Sequence, residues 1–382
     1  MKKILVVNTI YKEKGGEDTN IVDEVSFLKN FYEVKYLEFK NEGKLSIIDL
    51  ISFVFNSNLK SNKLMRDVID EFKPDIAYVH NTWFRANIGI YKILKKKGIK
   101  VFHKIHNFRY FCCNFFLLKN HIKDTEYCNM CNLQKENKIF NKYYQNSYLK
   151  SFFGILYGKK IYRLILSGDL NLLVMTNFHK KFLVKLGVKP ENIDTFSNPI
   201  SYKNTNEYNQ ISDYLVYAGR VSQDKGVEEL IKAWIKADVS NLSLKIIGDG
   251  KMLNELKEKY ILPNIKFLGL LSHEETLELI KNSRGVVTAT KMYEGQPRLL
   301  CEASINGIPS LFPDFGGMGE FFPRNYTFKF EQFNYESLCE KLKLFEKSLE
   351  LKQESIEIQS FTEQIFGKDY LKETLDKIFT QK

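Results

Sequence analysis

The chain has 382 residues, of which 44% are hydrophobic and 27% are charged, and its formal net charge is +11. This length predicts two domains of ordinary size, and the composition is typical of a folded globular protein and excludes a small disulfide scaffold. No apolar run is long enough to cross a bilayer, and residues 1–8 favour a first β-strand over a signal peptide, so we expect a cytoplasmic protein.

Strand-like and helix-like segments alternate through the first half of the chain, which is typical of a parallel α/β architecture. Strands are predicted at 4–8, 34–39, 75–79, 100–105 and 172–175. Helices are predicted after a Gly-Gly turn at 15–16 and then at 64–72, 87–97 and 177–186. A polar stretch at 201–213 is typical of a linker.

A second series of strands and helices follows this linker. Its strands are predicted at 214–218, 242–247, 265–268, 285–289 and 309–312, and its helices at 227–237, 252–260, 273–281 and 298–306. We therefore predict two doubly wound domains, 1–199 and 200–359, with a helix over 360–380 that packs back on the first domain. In such sheets ligands bind at the carboxyl ends of the strands.

The segment 293–303 carries two glutamates around a predicted helix start. Glu294 and Glu302 are separated by about 12 Å along a helix, and Gly295, Gln296 and Pro297 lie between them. Pro297 suits a first helical turn, whose free amides attract a phosphate. One carboxylate could therefore reach a group on each side of a bound diphosphate, as a nucleotide-sugar requires. The alternative is a surface helix with two solvated glutamates.

Two cations flank a predicted turn between a strand and a helix. Gly219 and Arg220 end the strand and Lys225 precedes the helix, so both cations converge with free amides on the ligand side of the sheet. They could hold a diphosphate and stabilise it as a leaving group; the alternative is two solvated surface cations. Gly248 ends the next strand and would let the backbone approach a ligand, although any tight turn has this pattern.

Five motifs follow one another in the second half of the chain. They are Gly219-Arg220 with Lys225-Gly226, Gly248-Asp249-Gly250, Phe267-Leu268-Gly269, Glu294-Gly295-x-Pro297 with Glu302-Ala303, and Gly316-Gly317 with Glu320. This ordered set resembles the motifs of the family 4 retaining glycosyltransferases, which are GT-B enzymes with two Rossmann-like, doubly wound domains facing across a cleft. The resemblance is strong over 214–322 and looser at 15–16, 79–81 and 104–109.

The resemblance implies that the second domain binds the donor. Arg220 and Lys225 would bind the donor diphosphate, and Glu302 would bind the ribose hydroxyls. Glu294 would lie near the donor sugar and act in catalysis with Arg220 and Lys225. The implied donor-binding set also includes Gly219, Gly248, Leu268, Gly295, Gln296 and Pro297.

The first domain is implied to bind the acceptor. Gly15 and Gly16 resemble a loop that approaches the donor phosphates. His106 resembles the histidine near the sugar and the acceptor, and it would act in catalysis because imidazole can hydrogen-bond or relay a proton near neutral pH. His80, the rival of His106, and Arg109 are the candidates for acceptor binding. The alternative for either histidine is a structural hydrogen bond at a strand end.

A retaining reaction of this class needs no carboxylate base, because the departing phosphate oxygen can take the acceptor proton. Catalysis then depends on positioning and on cations that stabilise the leaving group. We therefore expect a UDP- or GDP-type sugar as substrate, with no cofactor and no catalytic metal, in keeping with the lack of an Asp-x-Asp motif. A nucleotide-sugar epimerase, a phosphorylase of similar fold and a non-catalytic polyanion-binding protein are the alternatives.

The segment from Lys95 to Arg163 holds 15 Lys and Arg against three acidic residues and is rich in aromatic residues. This combination favours an anionic membrane surface or a nucleic acid; the alternative is a Lys-rich composition with aromatics in the core. Polyprenyl-diphosphate carriers are anionic and membrane-bound. We therefore predict a glycan or polyprenyl-diphosphate-linked acceptor in bacterial surface polysaccharide biosynthesis, peripheral binding to the inner face of the cell membrane, and no nucleic-acid partner.

Four cysteines, Cys112, Cys113, Cys128 and Cys131, lie close together in the same segment. A Cys-x2-Cys pair with further thiolates could hold a structural zinc. The adjacent pair has an awkward geometry for that purpose, and free thiols or a local disulfide are the alternative.

Overall fold

The computed structural model describes residues 1–10, 16–41, 51–52, 54–108, 147–200 and 212–382. The chain divides into two compact units: unit 1 consists of Met1–Ile200 with Leu371–Lys382, and unit 2 of Ser201–Tyr370. Each unit is built on a six-stranded parallel sheet flanked by helices. Among the described helices, none combines the length and the apolar character needed to cross a bilayer.

Unit 1 has the sheet order β2-β1-β3-β4-β5-β6. Its strands are β1 Lys3–Ile10, β2 Glu33–Lys40, β3 Ile76–Val79, β4 Lys100–Lys104, β5 Asn171–Val174 and β6 Ile193–Thr195. Its helices are α1 Gly16–Lys29, α2 Leu59–Phe72, α3 Gly89–Lys96, α4 Tyr148–Leu166, α5 Asn177–Lys185 and, from the end of the chain, α12 Lys368–Gln381.

Unit 2 has the sheet order β12-β11-β10-β7-β8-β9. Its strands are β7 Tyr214–Ala218, β8 Ser243–Ile247, β9 Ile265–Gly269, β10 Gly285–Val287, β11 Ser310–Pro313 and β12 Lys329–Phe330. Its helices are α6 Val227–Ala237, α7 Leu253–Lys259, α8 His273–Lys281, α9 Arg298–Ile305, α10 Tyr335–Lys347 and α11 Leu351–Phe366. The predicted α/β class with two Rossmann-like sheets is thus confirmed.

The strand order in unit 2 reverses between β7 and β10. From β7 the chain moves outward through β8 to β9, and it then returns to the other side of β7 and moves outward through β11 to β12. Such a reversal is the topological switch point of an open parallel sheet, where ligands bind outside the carboxyl ends of the strands. A ligand site is therefore expected at the loops that follow β7 and β10.

The last helix completes the core of unit 1. Leu371, Leu375, Ile378 and Phe379 pack with residues of α1, β1, β3 and β4. The Phe379 ring centroid lies 4.9 Å from that of Phe102 in β4. The helical spacing of these apolar residues buries one face of α12 against the sheet.

The predicted helix over 360–380 is two helices in the structure. α11 ends at Phe366, and Gly367 has an extended backbone conformation before α12 begins at Lys368. A Cβ atom at position 367 would lie 2.7 Å from the carbonyl oxygen of Glu363, so the break suits glycine. The sequence also left β6, β12, α4, α10 and the first half of α11 unpredicted, and the two strands, β6 and β12, are too short to show a period.

A fully buried ion pair lies in the core of unit 1. The Lys104 ammonium donates to Glu24 Oε1 at 2.7 Å, and neither side chain is exposed to solvent. The Tyr78 hydroxyl donates to the same oxygen at 2.6 Å, and the Lys104 ammonium lies 4.6 Å above the Phe196 ring. Because an unpaired charge in this environment is costly, each charge depends on the other.

Lys104→Met should lower the free energy of unfolding by about 3–5 kcal/mol, because it leaves the Glu24 carboxylate buried without its countercharge. The double variant Glu24→Gln with Lys104→Met should recover most of this loss, since no charge is then left unpaired and the amide oxygen can still accept from Tyr78. Urea titration of both variants measures the difference. Equal losses in the single and the double variant would contradict this account of the pair.

Candidate functional site

The predicted donor-site residues of unit 2 lie at or after the carboxyl ends of strands in one sheet. Gly219 and Arg220 follow β7, Gly248 follows β8, and Leu268 is the second-to-last residue of β9. The segment 294–297 lies in the loop between β10 and α9, and Glu302 lies in α9 itself. Parallel strands end at the same edge of a sheet, so these residues share that edge.

Lys225 and Glu294 meet at the switch point. Lys225 ends a short 3-10 turn between β7 and α6, and its ammonium donates to Glu294 Oε1 at 2.5 Å. The Thr290 hydroxyl donates to the same oxygen at 3.2 Å. The side chains of Lys225 and Glu294 are 24% and 21% exposed. A partly exposed cation and a carboxylate are therefore in contact where a parallel sheet binds ligands.

Two glycines hold the loops of this site together. Gly226 has φ +66° and packs against the carbonyl of Ala289 in the loop after β10, where a Cβ atom would overlap. Gly248 has φ +133° and packs in the same way against the carbonyl of Gly219, and its amide donates to the carbonyl of Gly269 at 2.7 Å. Glycine is needed at both positions, because a side chain would have no space and would strain the backbone.

Arg220 is held on the loop after β7 by its own neighbours. Its Nη2 donates to Asp224 Oδ2 at 2.8 Å and its Nε donates to the Ser222 hydroxyl at 3.2 Å, while its side chain remains 56% exposed. Burial acts to raise the pKa of Asp224, but the Arg220 guanidinium, Ser222 and Lys225 hold that pKa below its usual value. An ionised Asp224 therefore orients a guanidinium that still faces solvent.

Glu302 is buried and has different partners. Its Oε1 accepts from Arg298 Nε at 2.5 Å and lies 2.7 Å from Nε2 of His273, the first residue of α8. The Glu302 side chain is only 8% exposed. Arg298 lies one turn before Glu302 in α9, so the helix brings these two together, whereas His273 is brought by the packing of α8 on α9.

The glycine-rich turn after β11 packs beside Glu294. The ring of Phe315 stacks on that of Tyr293 with 4.6 Å between centroids, and Gly316 has φ +65° next to the same ring. Gly317 and Glu320 follow in a short 3-10 turn. The fifth predicted motif thus lies against the residue that precedes Glu294.

In unit 1 the two predicted histidines are in contact. His80 follows β3 and His106 follows β4, and these strands pair side by side. Nδ1 of His80 lies 2.8 Å from Nε2 of His106, and the rings are stacked with 5.1 Å between centroids. His80 is buried, whereas His106 is partly exposed.

Both rings are neutral near pH 7. Burial lowers the pKa of His80 well below its usual value, and His106, Lys104 and His103 lower it further. Burial likewise lowers the pKa of His106 well below its usual value, and Lys104, His103 and His179 add to the effect. The hydrogen bond between the rings therefore joins one N–H to one nitrogen lone pair.

Glu24 lies beside this pair of rings. One oxygen of Glu24 and one nitrogen each of His80 and His106 lie within 4.8 Å of one another. Such a trio can bind a metal in other settings. Here the Lys104 ammonium already neutralises the carboxylate, and a divalent cation would add uncompensated positive charge to a buried site. We therefore do not assign a metal site to this trio.

Of the remaining predicted residues, only Gly16 belongs to the described part of the chain, as the first residue of α1. The predictions for Gly15, Arg109, Cys112, Cys113, Cys128 and Cys131 concern residues that the structure does not describe.

Comparison with known proteins finds a family that unit 2 resembles. Residues 201–359 match the model of the glycosyl transferases group 1. We refer to this matched segment as the group 1 domain. The O-antigen biosynthesis glycosyltransferase WbnH of Escherichia coli is 30% identical over 189 residues, which are 48% of this chain and 51% of WbnH. The chain thus spans about half the length of the curated relatives it matches, or less.

Solved structures share the fold along the whole chain. The lipopolysaccharide outer core galactosyltransferase WaaB superposes with a TM-score of 0.67 at 16% identity over 100% of both chains. HepE of Anabaena, in complex with UDP and glucose, superposes with a TM-score of 0.67 at 12% identity over 100% of both chains. At these identities the likeness shows the fold alone, which is the predicted GT-B architecture of two Rossmann-like sheets.

Three side chains of the group 1 domain that contact predicted site residues were not themselves predicted from the sequence. Arg298 and Asp224 could have been found, because each lies four residues from a predicted partner of opposite charge, Glu302 and Arg220 respectively. His273 gives no such signal, since it lies 29 residues from Glu302 in another helix.

Gly248→Ala should destabilise the group 1 domain clearly more than Gly269→Ala. Both glycines have positive φ, but the space around Gly269 is open, whereas Gly248 abuts the Gly219 carbonyl. The Gly269 variant should therefore cost only the backbone strain of about 1–2 kcal/mol. Urea titrations of the two variants measure the difference, and equal losses would show that the close approach at Gly248 is not a constraint.

Proposed function

We propose that the protein is a retaining glycosyltransferase that moves a sugar from a nucleotide-diphosphate donor to a glycan or lipid-linked acceptor in bacterial surface polysaccharide biosynthesis. The contact between Lys225 and Glu294 at the switch point of the group 1 domain is the observation that carries this proposal. The names of the relatives, among them an O-antigen biosynthesis glycosyltransferase, support the polysaccharide part. In this proposal residues 200–359 bind the donor and residues 1–199 bind the acceptor.

The diphosphate would bind to Lys225 and Arg220. The Lys225 ammonium pairs with Glu294 in the structure, and a donor diphosphate would compete for the same ammonium. The exchange would free the Glu294 carboxylate to accept hydrogen bonds from hydroxyls of the donor sugar. The amides at the start of α9, after Gly295, Gln296 and Pro297, supply further donors for sugar or phosphate.

The ribose hydroxyls would bind to Glu302. Arg298 and His273 hold its Oε1, so we assign the hydroxyls to Oε2. The buried position of the carboxylate and its two positive or hydrogen-bonding partners keep its orientation constant. Leu268 and Gly248 lie on neighbouring strand ends and would face the nucleoside.

The reaction that we propose retains the configuration at the anomeric carbon. The bond between this carbon and the diphosphate oxygen breaks, and the bond to the acceptor hydroxyl forms on the same face. The acceptor proton goes to the departing phosphate oxygen, so no carboxylate base and no metal ion are required. Arg220 and Lys225 stabilise the charge that develops on the diphosphate, and His106 contributes as a neutral hydrogen-bonding group.

A uridine diphosphate sugar is the donor that we would test first, because HepE, which shares the fold, was solved with UDP and glucose. In thermal unfolding, UDP or GDP at about 100 times its dissociation constant should stabilise the protein by about 2.7 kcal/mol, a rise in Tm of roughly 5 °C or more. Arg220→Ala with Lys225→Ala should abolish this rise.

The matched control for this experiment is Lys232→Ala with Lys236→Ala. Both lysines are exposed on α6 of the same unit, so the control removes two charges away from the strand ends and should leave the rise in Tm unchanged. No rise with any nucleoside diphosphate or its sugar, or the same rise in both double variants, would refute the donor site.

An exposed face of α4 supports membrane binding by unit 1. Leu149, Phe152, Lys159 and Arg163 lie at helical spacing on one face, and Leu149 and Phe152 are more than half exposed. Lys160 donates to the carbonyl of Val54 at 2.8 Å, which places the neighbouring segment beside α4. Val54 and Phe55 in that segment are also exposed. Exposed apolar side chains beside basic ones suit an anionic bilayer, so we propose peripheral binding to the inner face of the cell membrane.

Lys159→Glu with Arg163→Glu should weaken binding to vesicles of phosphatidylglycerol and phosphatidylcholine by about tenfold or more, because each basic residue near an anionic surface contributes about 1 kcal/mol. Vesicle co-sedimentation measures this change. Lys160 is left unchanged, since it links α4 to Val54 and Asn56. Lys232→Glu with Lys236→Glu is the charge-matched control. Unchanged vesicle binding in the α4 variant would refute the proposed membrane binding.

A further inference from the structure

Buried polar side chains lie next to the partly exposed ring of His106. His80 lies 2.8 Å from Nε2 of His106. One oxygen of Glu24 in α1 lies within 4.8 Å of a ring nitrogen of His80 and of one of His106, and Oε1 of Glu24 accepts from Lys104 and Tyr78. The series therefore runs from an ion pair in the core, through Glu24 and His80, to the ring of His106 at the ends of β3 and β4.

Two atoms in the middle of this series lack a hydrogen-bond partner. Nε2 of His80 and Oε2 of Glu24 are both buried, and neither makes a hydrogen bond to the part of the chain that the structure describes. An ionised carboxylate oxygen can only accept a hydrogen bond. Oε2 therefore needs a proton donor, and we infer that the donor is Nε2 of His80, since this nitrogen also lacks a partner and its ring lies beside Glu24.

The protonation of one ring then determines that of the next. If Nε2 of His80 carries the proton, Nδ1 of this neutral ring is a lone pair. Nδ1 must then accept from Nε2 of His106, which carries the proton of that ring. The remaining nitrogen of His106, Nδ1, is consequently a lone pair that can accept a hydrogen bond from a hydroxyl group.

A purely structural role does not account for this arrangement. Replacing a buried ion pair by apolar residues of similar volume is often neutral or stabilising, and a buried polar atom without a partner costs about 1–3 kcal/mol. Unit 1 nevertheless places Glu24, Lys104 and His80 side by side at the carboxyl ends of its central strands, where ligands bind in this type of sheet.

We propose that Glu24, held by Lys104, acts through His80 to fix His106 as the Nε2–H tautomer, which leaves its Nδ1 free to accept a hydrogen bond from a substrate hydroxyl. Glu24, Lys104 and His80 are then positioning residues, and His80 is not itself a binding residue because it is buried. This inference rests on the proposed function for the identity of the hydroxyl, which belongs to the donor sugar or to the acceptor.

The tautomer can be measured without any activity. In protein labelled with ring-15N histidine, a long-range 1H–15N correlation spectrum distinguishes the two tautomers, and His106→Gln assigns the signal. We expect the Nε2–H tautomer for His106 in the unmodified chain. In Glu24→Gln the amide can donate to Nε2 of His80, which reverses both hydrogen bonds, so we expect the Nδ1–H tautomer for His106.

The control is Glu71→Gln, which makes the same change at an exposed glutamate of unit 1 and should leave the His106 signal as the Nε2–H tautomer. An Nδ1–H tautomer in the unmodified chain, or no change in Glu24→Gln, would overturn the proposal. This result does not depend on transfer, so it is separate from a failure of the proposed function, which the nucleotide-induced rise in Tm would reveal.

Kinetics provide a second test if Glu24→Gln does not fold. His80→Phe keeps the ring volume and removes the hydrogen bond, and it should lower kcat by about tenfold or more while KM for the nucleotide-sugar changes less than about twofold. His80→Asn places an amide near the Nδ1 position and should recover part of kcat. Equal kcat values in the unmodified chain and His80→Phe, or no difference between the two variants, would show that His80 only fills space.

Discussion

The side-by-side pairing of parallel strands is the constraint on which both candidate sites depend. β7 pairs with β10 in unit 2, and the residues that follow these strands therefore meet although Lys225 and Glu294 are 69 residues apart. β3 pairs with β4 in unit 1, and His80 and His106 meet for the same reason. In each unit the contact exists because the sheet aligns the carboxyl ends of neighbouring strands.

The ion pairs Lys225–Glu294 in unit 2 and Lys104–Glu24 in unit 1 differ in their exposure to solvent, and this difference suits different roles. Lys225 and Glu294 are each about one fifth to one quarter exposed, so their ion pair contributes little stability and an incoming phosphate can replace the carboxylate at low cost. Glu24 and Lys104 are fully buried, and neither can lose its partner without a large penalty. The first pair is suited to exchange and the second to a fixed scaffold.

The sequence predicted the fold well wherever one local pattern decided the structure. The continuous apolar run at the start of β1 is typical of a strand buried on both faces, and Pro297 correctly marked the start of α9. The residue types of the donor site could also be chosen from the sequence, because glycine, cations and carboxylates recur at predicted strand ends. Their roles on a donor stay predictions.

Other features had no local pattern to reveal them. β12 has two residues and forms only because β11 offers an edge to pair with. The tail is two helices because the backbone leaves the helical conformation at Gly367, where a side chain would lie too close to Glu363. The sequence also did not predict that Glu24 and Lys104 are buried beside the histidines. Glu24 lies in an amphipathic helix and Lys104 in a strand, and each would pass for a surface residue if only its neighbours in sequence were considered.

The sequence by itself determined the alternation of strands and helices and the residue types at the strand ends, because these depend on spacing and turn chemistry within a few residues. Only the tertiary structure decided which side chains meet. The pairing of Lys225 with Glu294, of His273 with Glu302 and of Glu24 with the His80–His106 pair depends on which strands and helices become neighbours. Such contacts join segments far apart in the chain, and they leave no period or spacing in the sequence.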